Sequence, residues 1–491
     1  MSRGRTNCIA AWSPSTHWDI AAISDGEQMA KYDVIVIGAG AAGLTAGALL
    51  AKHGKKVLVM DREKHLGGRA MAVPFEGYRL SLGGHLLEDG GSGITKIISH
   101  LGGELKHGLT SKGMPVWVDG KWQSVQALYS TDKNELKKVI KILCDTDWKE
   151  LDKWDDKPMR EWLLQYTTSE GVIALFEYIA CAECLTDKWW DHSASDNLYT
   201  RKMHYMERRV AGYSCWPEGG WHGIFDKLAA ALKANGGDLW TETSAQKVII
   251  ENGRVKGVAF DKGPKAMMTE GFNWEVIEAD AVISTLPVWN VLNLVPEKNL
   301  PDWYATKIKT LAADEYKVCW LGMYVASHEP IFTGLDPTEL AIWFDSANSR
   351  LPGWAFLATG YDPSVAPPGV HLYNCGFAYQ GARGRDWIEQ KFNLIEKDLA
   401  AFYPNRWTAK NIIWKRRHVV QQPAFGVFQK PALVGVFRPD YTAPGVEGLW
   451  FASETFRSRG IGVDRAARAG LTCVEQILGT RIPDFKESWH D

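Results

Sequence analysis

No stretch of the 491 residues reaches the run of about 18 apolar residues that a membrane-spanning helix needs. The longest approach, GVIALFEYIAC at 171–181, is short and carries Glu177, so no bilayer span is expected. The apolar heart of a secretory signal is missing as well. The first thirty residues hold only CIAAW, and a disordered or loosely packed tail is expected at 1–30, with Met29 as an alternative initiator. Charge of one sign is not in excess: 56 Lys and Arg nearly cancel 58 Asp and Glu. That balance argues against a nucleic-acid partner or a solvating acidic arm and favours a neutral or apolar small substrate. Cysteine is sparse and scattered, eight residues with one close pair in CAEC at 181–184. A single C-x-x-C with neither a second pair nor a nearby His makes a weak case for a metal. Reduced, buried thiols in a cytoplasmic protein without a metal are expected.

What is present is an ordinary folded composition, 45% apolar and 23% charged, in a chain long enough for roughly two to three domains. Tryptophan stands out at 23 residues. Most are expected to be bulky core, although flat aromatic walls would also suit a planar or polyene ligand.

The chemistry begins in YDVIVIGAGAAGLTAGALLAKHGKKVLVMDREKHLGGRA at 32–70. YDVIVI is a β-branched run of the kind buried on both faces of a parallel sheet, and AAGLTAGALLAKHG is a strong helix former ended by Gly54. Between them Gly38, Gly40 and Gly43 keep G-x-G-x-x-G spacing: one for the turn, one for backbone approach to a pyrophosphate, one for close helix–strand packing. The helix start at Ala41 and Ala42 then faces the phosphates with free amides. KVLVM supplies the second strand, and Asp61, 21 residues past Gly40, is placed to accept a ribose hydroxyl, with Arg62 beside it. A dinucleotide is the expected ligand.

Gly67, Gly68 and Arg69 follow the acid and resemble the second glycine motif of glutathione-reductase-like flavoproteins, which favours FAD over NAD. From there the chain resembles the flavin amine oxidase and phytoene desaturase superfamily, over 32–478. GYRLSLGGHLLEDGG at 77–91 is similar to the loop that passes Gly83 and Gly84 beside the flavin ring. His85 takes a place shared by many polyene-acting members, and Ser81 departs from the Asp often found there. WPEGGWHGIFDKLAAALKANGGDL resembles the family's Pro-x-Gly-Gly turn and helix. VIIENGRVKGVAF and EADAVISTLP resemble its second nucleotide block, in which Val248 backbone would touch the adenine; the Asn-Gly hairpin is also legible by itself. In the closing block, GLWFASETFRSRGIGVDRAARAGLTCVEQIL, the resemblance implies Glu454 on the ribityl chain. Gly460, Ile461, Gly462 and Val463 would bring a helix N-terminus to the N1 and C2-carbonyl edge of a noncovalent flavin.

The resemblance implies an α/β fold: a Rossmann-type FAD-binding domain, discontinuous over 31–106, 212–300 and 420–482, with an inserted mixed α+β substrate domain at 107–211 and 301–419. The first insert reads as mainly helical and the second as strands with a helix at 385–403. Lys317 in EYKVCW resembles the lysine that amine oxidases place near flavin N5, against a reading as a solvent-facing strand-end residue. His85 is a candidate to move a proton at a substrate carbon, against a structural role in its loop.

Three functions compete. The first is an FAD-dependent oxidoreductase or isomerase acting on carbon–carbon bonds of a lipophilic, isoprenoid or polyene molecule, favoured by GYDPSVAPPGVHLYNC, which resembles phytoene desaturase and retinol saturase relatives. The second is a flavin amine oxidase, favoured by Lys317 and FASET but opposed by Ile461, where many amine oxidases carry an aromatic. The third is a cofactor-free escort of prenylated proteins, similar to the GDP dissociation inhibitors and opposed by the retained Gly43 and Arg69. Amphipathic helices such as NELKKVIKIL fit peripheral contact with a membrane surface as well as they fit a soluble surface.

Overall fold

The Tyr32–Ile37 strand is buried at five of its six positions, as a β-branched run covered on both faces must be. After it comes the Ala41–Lys52 helix, whose every residue up to Ala51 is buried, the mark of a helix enclosed on all sides rather than lying on a surface. A computed structural model describes residues 31–84, 87–88, 93–184, 191–208, 214–217, 220–262, 274–343, 346–422 and 424–485. The expected tail at 1–30 and His85 lie outside the described residues.

Five parallel strands build the first sheet in the order Asp238–Trp240, Val57–Met60, Tyr32–Ile37, Glu275–Ser284, Leu449–Phe451. The strand two places from the first, beyond Glu275–Ser284, thus comes from the last tenth of the chain. Glu275–Ser284 serves two layers: its second half pairs in the parallel sheet, while its first half pairs antiparallel with Arg254–Lys262. That strand forms a hairpin with Thr243–Glu251. Asn252 and Gly253 both take positive φ (51° and 73°) at the hairpin tip, the conformation that an Asn-Gly turn favours. Parallel strands with buried crossover helices make this a Rossmann-type α/β fold.

The Gly462–Leu478 helix lies against Ala41–Lys52. A Cβ at Gly470 would stand 2.5 Å from the Ala42 carbonyl oxygen, so the approach of the two backbones depends on that missing side chain. Sequence ends 400 residues apart are packed together in this way.

A second, mainly antiparallel sheet runs Ile412–Val420, Lys317–Ser327, His371–Gln380, Gly353–Leu357, Ala341–Trp343, Val116–Val118, Lys121–Gln123. Its two faces follow the strand period of two. Cys319, Leu321, Met323, Tyr373, Cys375 and Phe377 pack with Phe392, Ile395 and Leu399 of the Arg385–Phe402 helix. Trp320, Tyr324, Ala378, Trp354 and Phe356 point the other way and join the core that contains the first sheet. Helices Lys133–Asp145, Met159–Leu164, Glu170–Cys184 and Ala194–Met203 form a separate apolar cluster.

Candidate functional site

The turn after the first strand is shaped by backbone contact. A Cβ on Gly43 would lie 1.8 Å from the Gly38 carbonyl oxygen, so the helix can start this close to the strand only with glycine there. Gly40 is different. The nearest protein atoms to a Cβ at that position are the Gly67 oxygen at 3.9 Å and the Gly68 Cα at 4.0 Å. Protein packing does not explain its missing side chain, whereas a ligand lying over the turn does. The Ala41–Lys52 helix has no side-chain cap and no acidic residue in its first turn, which leaves its leading amides directed at an anion.

Asp61 closes one side of this cradle. Its Oδ2 accepts the Ala39 amide at 2.6 Å and its Oδ1 the Glu63 amide at 2.8 Å. Burial pushes the carboxyl upward against these donors, and lone pairs remain for a hydroxyl. The Thr243 amide donates to the Asp61 carbonyl at 2.8 Å, which brings the strand of buried Val248 against the same place. Arg62 is exposed and pairs with Glu63. Gly67 bridges to Gly40, and Thr285 Oγ1 donates to the Ile37 carbonyl at 2.8 Å while crowding Gly38. The residues present fit a dinucleotide: an open glycine turn, uncapped amides and a carboxylate at its flank.

Arg69 and Glu454, 385 residues apart, meet in a two-pronged ion pair in which each terminal nitrogen of the guanidinium faces one carboxylate oxygen. Ser453 Oγ adds a bond to Glu454 at 2.9 Å. Burial works against this carboxylate, but the Arg69 charge and hydrogen bonds outweigh it and hold Glu454 below the usual carboxylate range. The loop at 81–84 crosses the same region: the Leu82 amide donates to the Met71 carbonyl at 2.9 Å, and a Cβ at Gly83 would overlap the Arg69 oxygen. Gly84 lies against the Trp221 ring. Ile461 is the extended N-cap of the Gly462–Leu478 helix, again without a side-chain cap, and open space surrounds Gly462.

Lys317 comes into this neighbourhood through Trp289. Its Nζ lies 5.8 Å from the Trp289 ring centroid, and the Arg69 guanidinium lies 5.7 Å from the same ring. The ammonium is bound to exposed Asp314 at 2.5 Å.

Sequence reasoning missed the surface behind the 81–84 loop. Trp320 lies flat over Gly376, where a Cβ would stand 1.3 Å from its ring, and His418 lies over Gly322 in the same manner. Trp320, Trp354 and Phe356 follow one another at centroid distances of 4.9 and 5.4 Å. Tyr324 stacks on His418, donates to the Ser81 carbonyl at 2.6 Å, and accepts from Asn374 at 2.9 Å. Burial pushes the His418 imidazole down to about 4, so it is neutral near pH 7. The alternation in WLGMYV and NCGFAY was the available signal, with glycines at the positions that face these rings.

Comparison with known proteins agrees with this geometry. The family described as flavin containing amine oxidoreductase matches residues 41–478. A chloroplastic prolycopene isomerase of Daucus carota is 22% identical over 517 residues, covering 91% of this chain and 80% of its own. Pseudooxynicotine dehydrogenase of Pseudomonas sp is 35% identical over 89 residues, 18% of each chain. An oxidoreductase from Methanosarcina mazei shares the fold with a TM-score of 0.67 at 21% identity, over 92% of this chain and all of its own.

Proposed function

Because the chain belongs to the flavin containing amine oxidoreductase family, with FAD as its cofactor, we propose that it acts as an oxidoreductase or isomerase on carbon–carbon bonds of a lipophilic, polyene-like molecule. The observation that carries this reading is the ring surface of Trp320, Trp354 and Phe356 on the sheet face turned toward the nucleotide-binding layer. These rings are buried, at 1–8% exposure, so they would form the apolar backing of a site rather than its open wall; such a backing favours a conjugated hydrocarbon over an ammonium, and the described residues of that face bring no carboxylate. Overall similarity to a prolycopene isomerase supports the same choice. The second sheet, with the helices of 107–211, is on this reading the substrate domain inserted into the FAD-binding domain.

When bound, FAD supplies hydride exchange at N5. The chain's own residues position and enclose. The 38–43 turn and the amides of Ala41, Ala42 and Gly43 hold the diphosphate, and Asp61 takes a ribose hydroxyl. Glu454, kept ionised by Arg69, accepts from the ribityl chain, while Gly67, Gly68, Gly83 and Gly84 let backbone pass close to it. Ile461, Gly462 and Val463 present amides to the ring edge. Lys317 and His85 are the proposed catalytic residues, Lys317 holding a water and His85 moving a proton at a substrate carbon.

Amine oxidation is the second reading, favoured by Lys317 at 5.8 Å from the Trp289 ring, beside Arg69. Anaerobic mixing of the flavin-loaded protein with polyenes, isoprenoids and amines separates the two. Loss of the flavin absorbance band with polyenes or isoprenoids is expected if the bond is oxidised, and conversion of the polyene's geometry without loss of the band if it is isomerised; loss with amines alone refutes the leading reading.

A further inference from the structure

The turn leading into the Gly462–Leu478 helix is held from behind by buried charges that no step above uses. Arg459 Nη1 lies 2.8 Å from Asp155 Oδ1 and Nη2 lies 2.6 Å from Asp152 Oδ1. Arg465 Nη1 lies 2.6 Å from Asp196 Oδ2 and 3.4 Å from the Gly460 carbonyl oxygen. Asp196 belongs to the Ala194–Met203 helix, so the first insert grips the closing block through its arginines.

These charges do not balance. Arg438 is 2% exposed and donates to the backbone carbonyls of Leu433, Glu454 and Val427. Burial, together with the Arg465 charge, pushes its guanidinium down to about 9. Among the described residues, Arg438, Arg459 and Arg465 therefore face two deeply buried carboxylates, Asp155 and Asp196. Asp152 is half exposed and screened, Glu454 is already matched by Arg69, and Asp464 in the first turn of the last helix is part-buried and accepts the Gly93 and Ile94 amides. Arg465 is 1% exposed, yet its Nε and Nη2 have no hydrogen-bond partner among the described residues. A buried guanidinium with unused donors is costly unless a counter-charge approaches it.

We propose that this surplus positive charge stands behind the N1 and C2-carbonyl edge of bound flavin, where negative charge collects on reduction, and that Asp196 is a positioning residue that fixes Arg465 there. The inference rests on the reading that the 460–462 turn adjoins the flavin ring. It assigns to a helix of the first insert, outside the cofactor contacts named above, a part in setting the flavin's reduction potential.

Dye-equilibration titration of the flavin-loaded protein tests it. Arg465→Met removes a positive charge and is expected to lower the midpoint potential; Asp196→Asn removes a negative one and is expected to raise it; Arg465→Lys is expected to stay near wild type. A purely structural loosening would shift the first two in the same direction, so shifts of one sign overturn the inference, as do wild-type potentials in both. Arg438→Gln orphans no carboxylate and decides the matter where Asp196→Asn fails to fold: a lowered potential supports the surplus-charge argument, an unchanged one ends it. Wild-type protein that takes up no flavin removes the underlying reading, a result recognisable before any variant is made.

Discussion

Replacing Gly40 by Ala separates the fold from its ligand. Gly40 sits at φ −82° and ψ −172°, extended backbone that any L residue adopts, and its added methyl would have no protein atom nearer than 3.9 Å. As an N-cap, Ala is worse than Gly by a fraction of about 1 kcal/mol, while the loss of unfolded-state freedom returns about 0.4–1 kcal/mol. The two nearly cancel, so the apoprotein's melting midpoint should move by no more than about 2–4 °C. The methyl instead occupies space over the turn. If a diphosphate lies there, overpacking costs about 1–3 kcal/mol of binding, equivalent to roughly 5- to 150-fold weaker FAD affinity. Fluorescence titration of apoprotein with FAD, beside a thermal melt, reads both quantities. Wild-type affinity in a folded Gly40→Ala protein would refute the assignment of that space to the cofactor. Gly43→Ala is the control: its methyl would meet the Gly38 oxygen at 1.8 Å, and stability and binding should fall together.

Arg69→Met leaves Glu454 buried without its partner, a loss of about 3–5 kcal/mol that denaturant unfolding would register. Because the folded Glu454 carboxyl lies below its ordinary value of 4.5, its stabilisation is present above that pH and fades as pH falls through the folded value. The variant should lack this acid-side loss. His418 and His192 are depressed by burial to about 4 and about 3 from 6.5, so the unfolded chain takes up their protons first. Each ring alone would make stability fall from pH 6.5 toward 4, while Glu177, pushed by burial up to about 7, acts in the opposite sense, so the test is the difference: His418→Gln should reduce the acid-side fall by about one proton, and an unchanged slope would contradict the burial of that ring. Gly470→Val forces a side chain against the Ala42 carbonyl and should expel FAD by prising the last helix off the cradle, visible as loss of flavin on gel filtration. Lys317→Met gives up a pair with exposed Asp314 and a distant approach to the Trp289 ring, so stability should change by no more than about 1 kcal/mol. A collapse in amine-driven flavin reduction without a matching loss with polyenes would then assign Lys317 to amine chemistry.

The nucleotide cradle was legible because its requirements are local. The run YDVIVI, the spacing of Gly38, Gly40 and Gly43, and the acid at Asp61 each answer to one turn of backbone, and the Asn-Gly hairpin likewise carries its own geometry. The family resemblance supplied Glu454 and Arg69 as separate cofactor contacts; that they bind one another required the fold, since the pair spans 385 residues. Of two further surfaces, one left only the alternation in WLGMYV and NCGFAY and the other no sequence signal of its own. Gly322 and Gly376 look like weak points in strands until His418 and Trp320 are seen lying across them. Asp155, Asp196, Arg459 and Arg465 look like surface charges on helical and loop stretches, yet they form a buried contact between the first insert and the closing block. Neither arrangement follows from periodicity, because each depends on which elements pack together, not on how any one of them is formed.

The two-faced sheet gives that packing a functional consequence. One face is committed to the Arg385–Phe402 helix and is filled by Leu321, Met323 and Phe377, which fixes the strands from behind. The other face shares a core with the cradle helix, so a shift of Trp320 or Tyr324 is felt at Ser81, whose carbonyl holds the Tyr324 hydroxyl. A substrate pressed against these rings would therefore contact the loop that passes Arg69 and Gly83 without any hinge in between. Close packing of this kind transmits displacement poorly by bending and well by contact, so the position of the ring surface and that of the 81–84 loop are set as one unit.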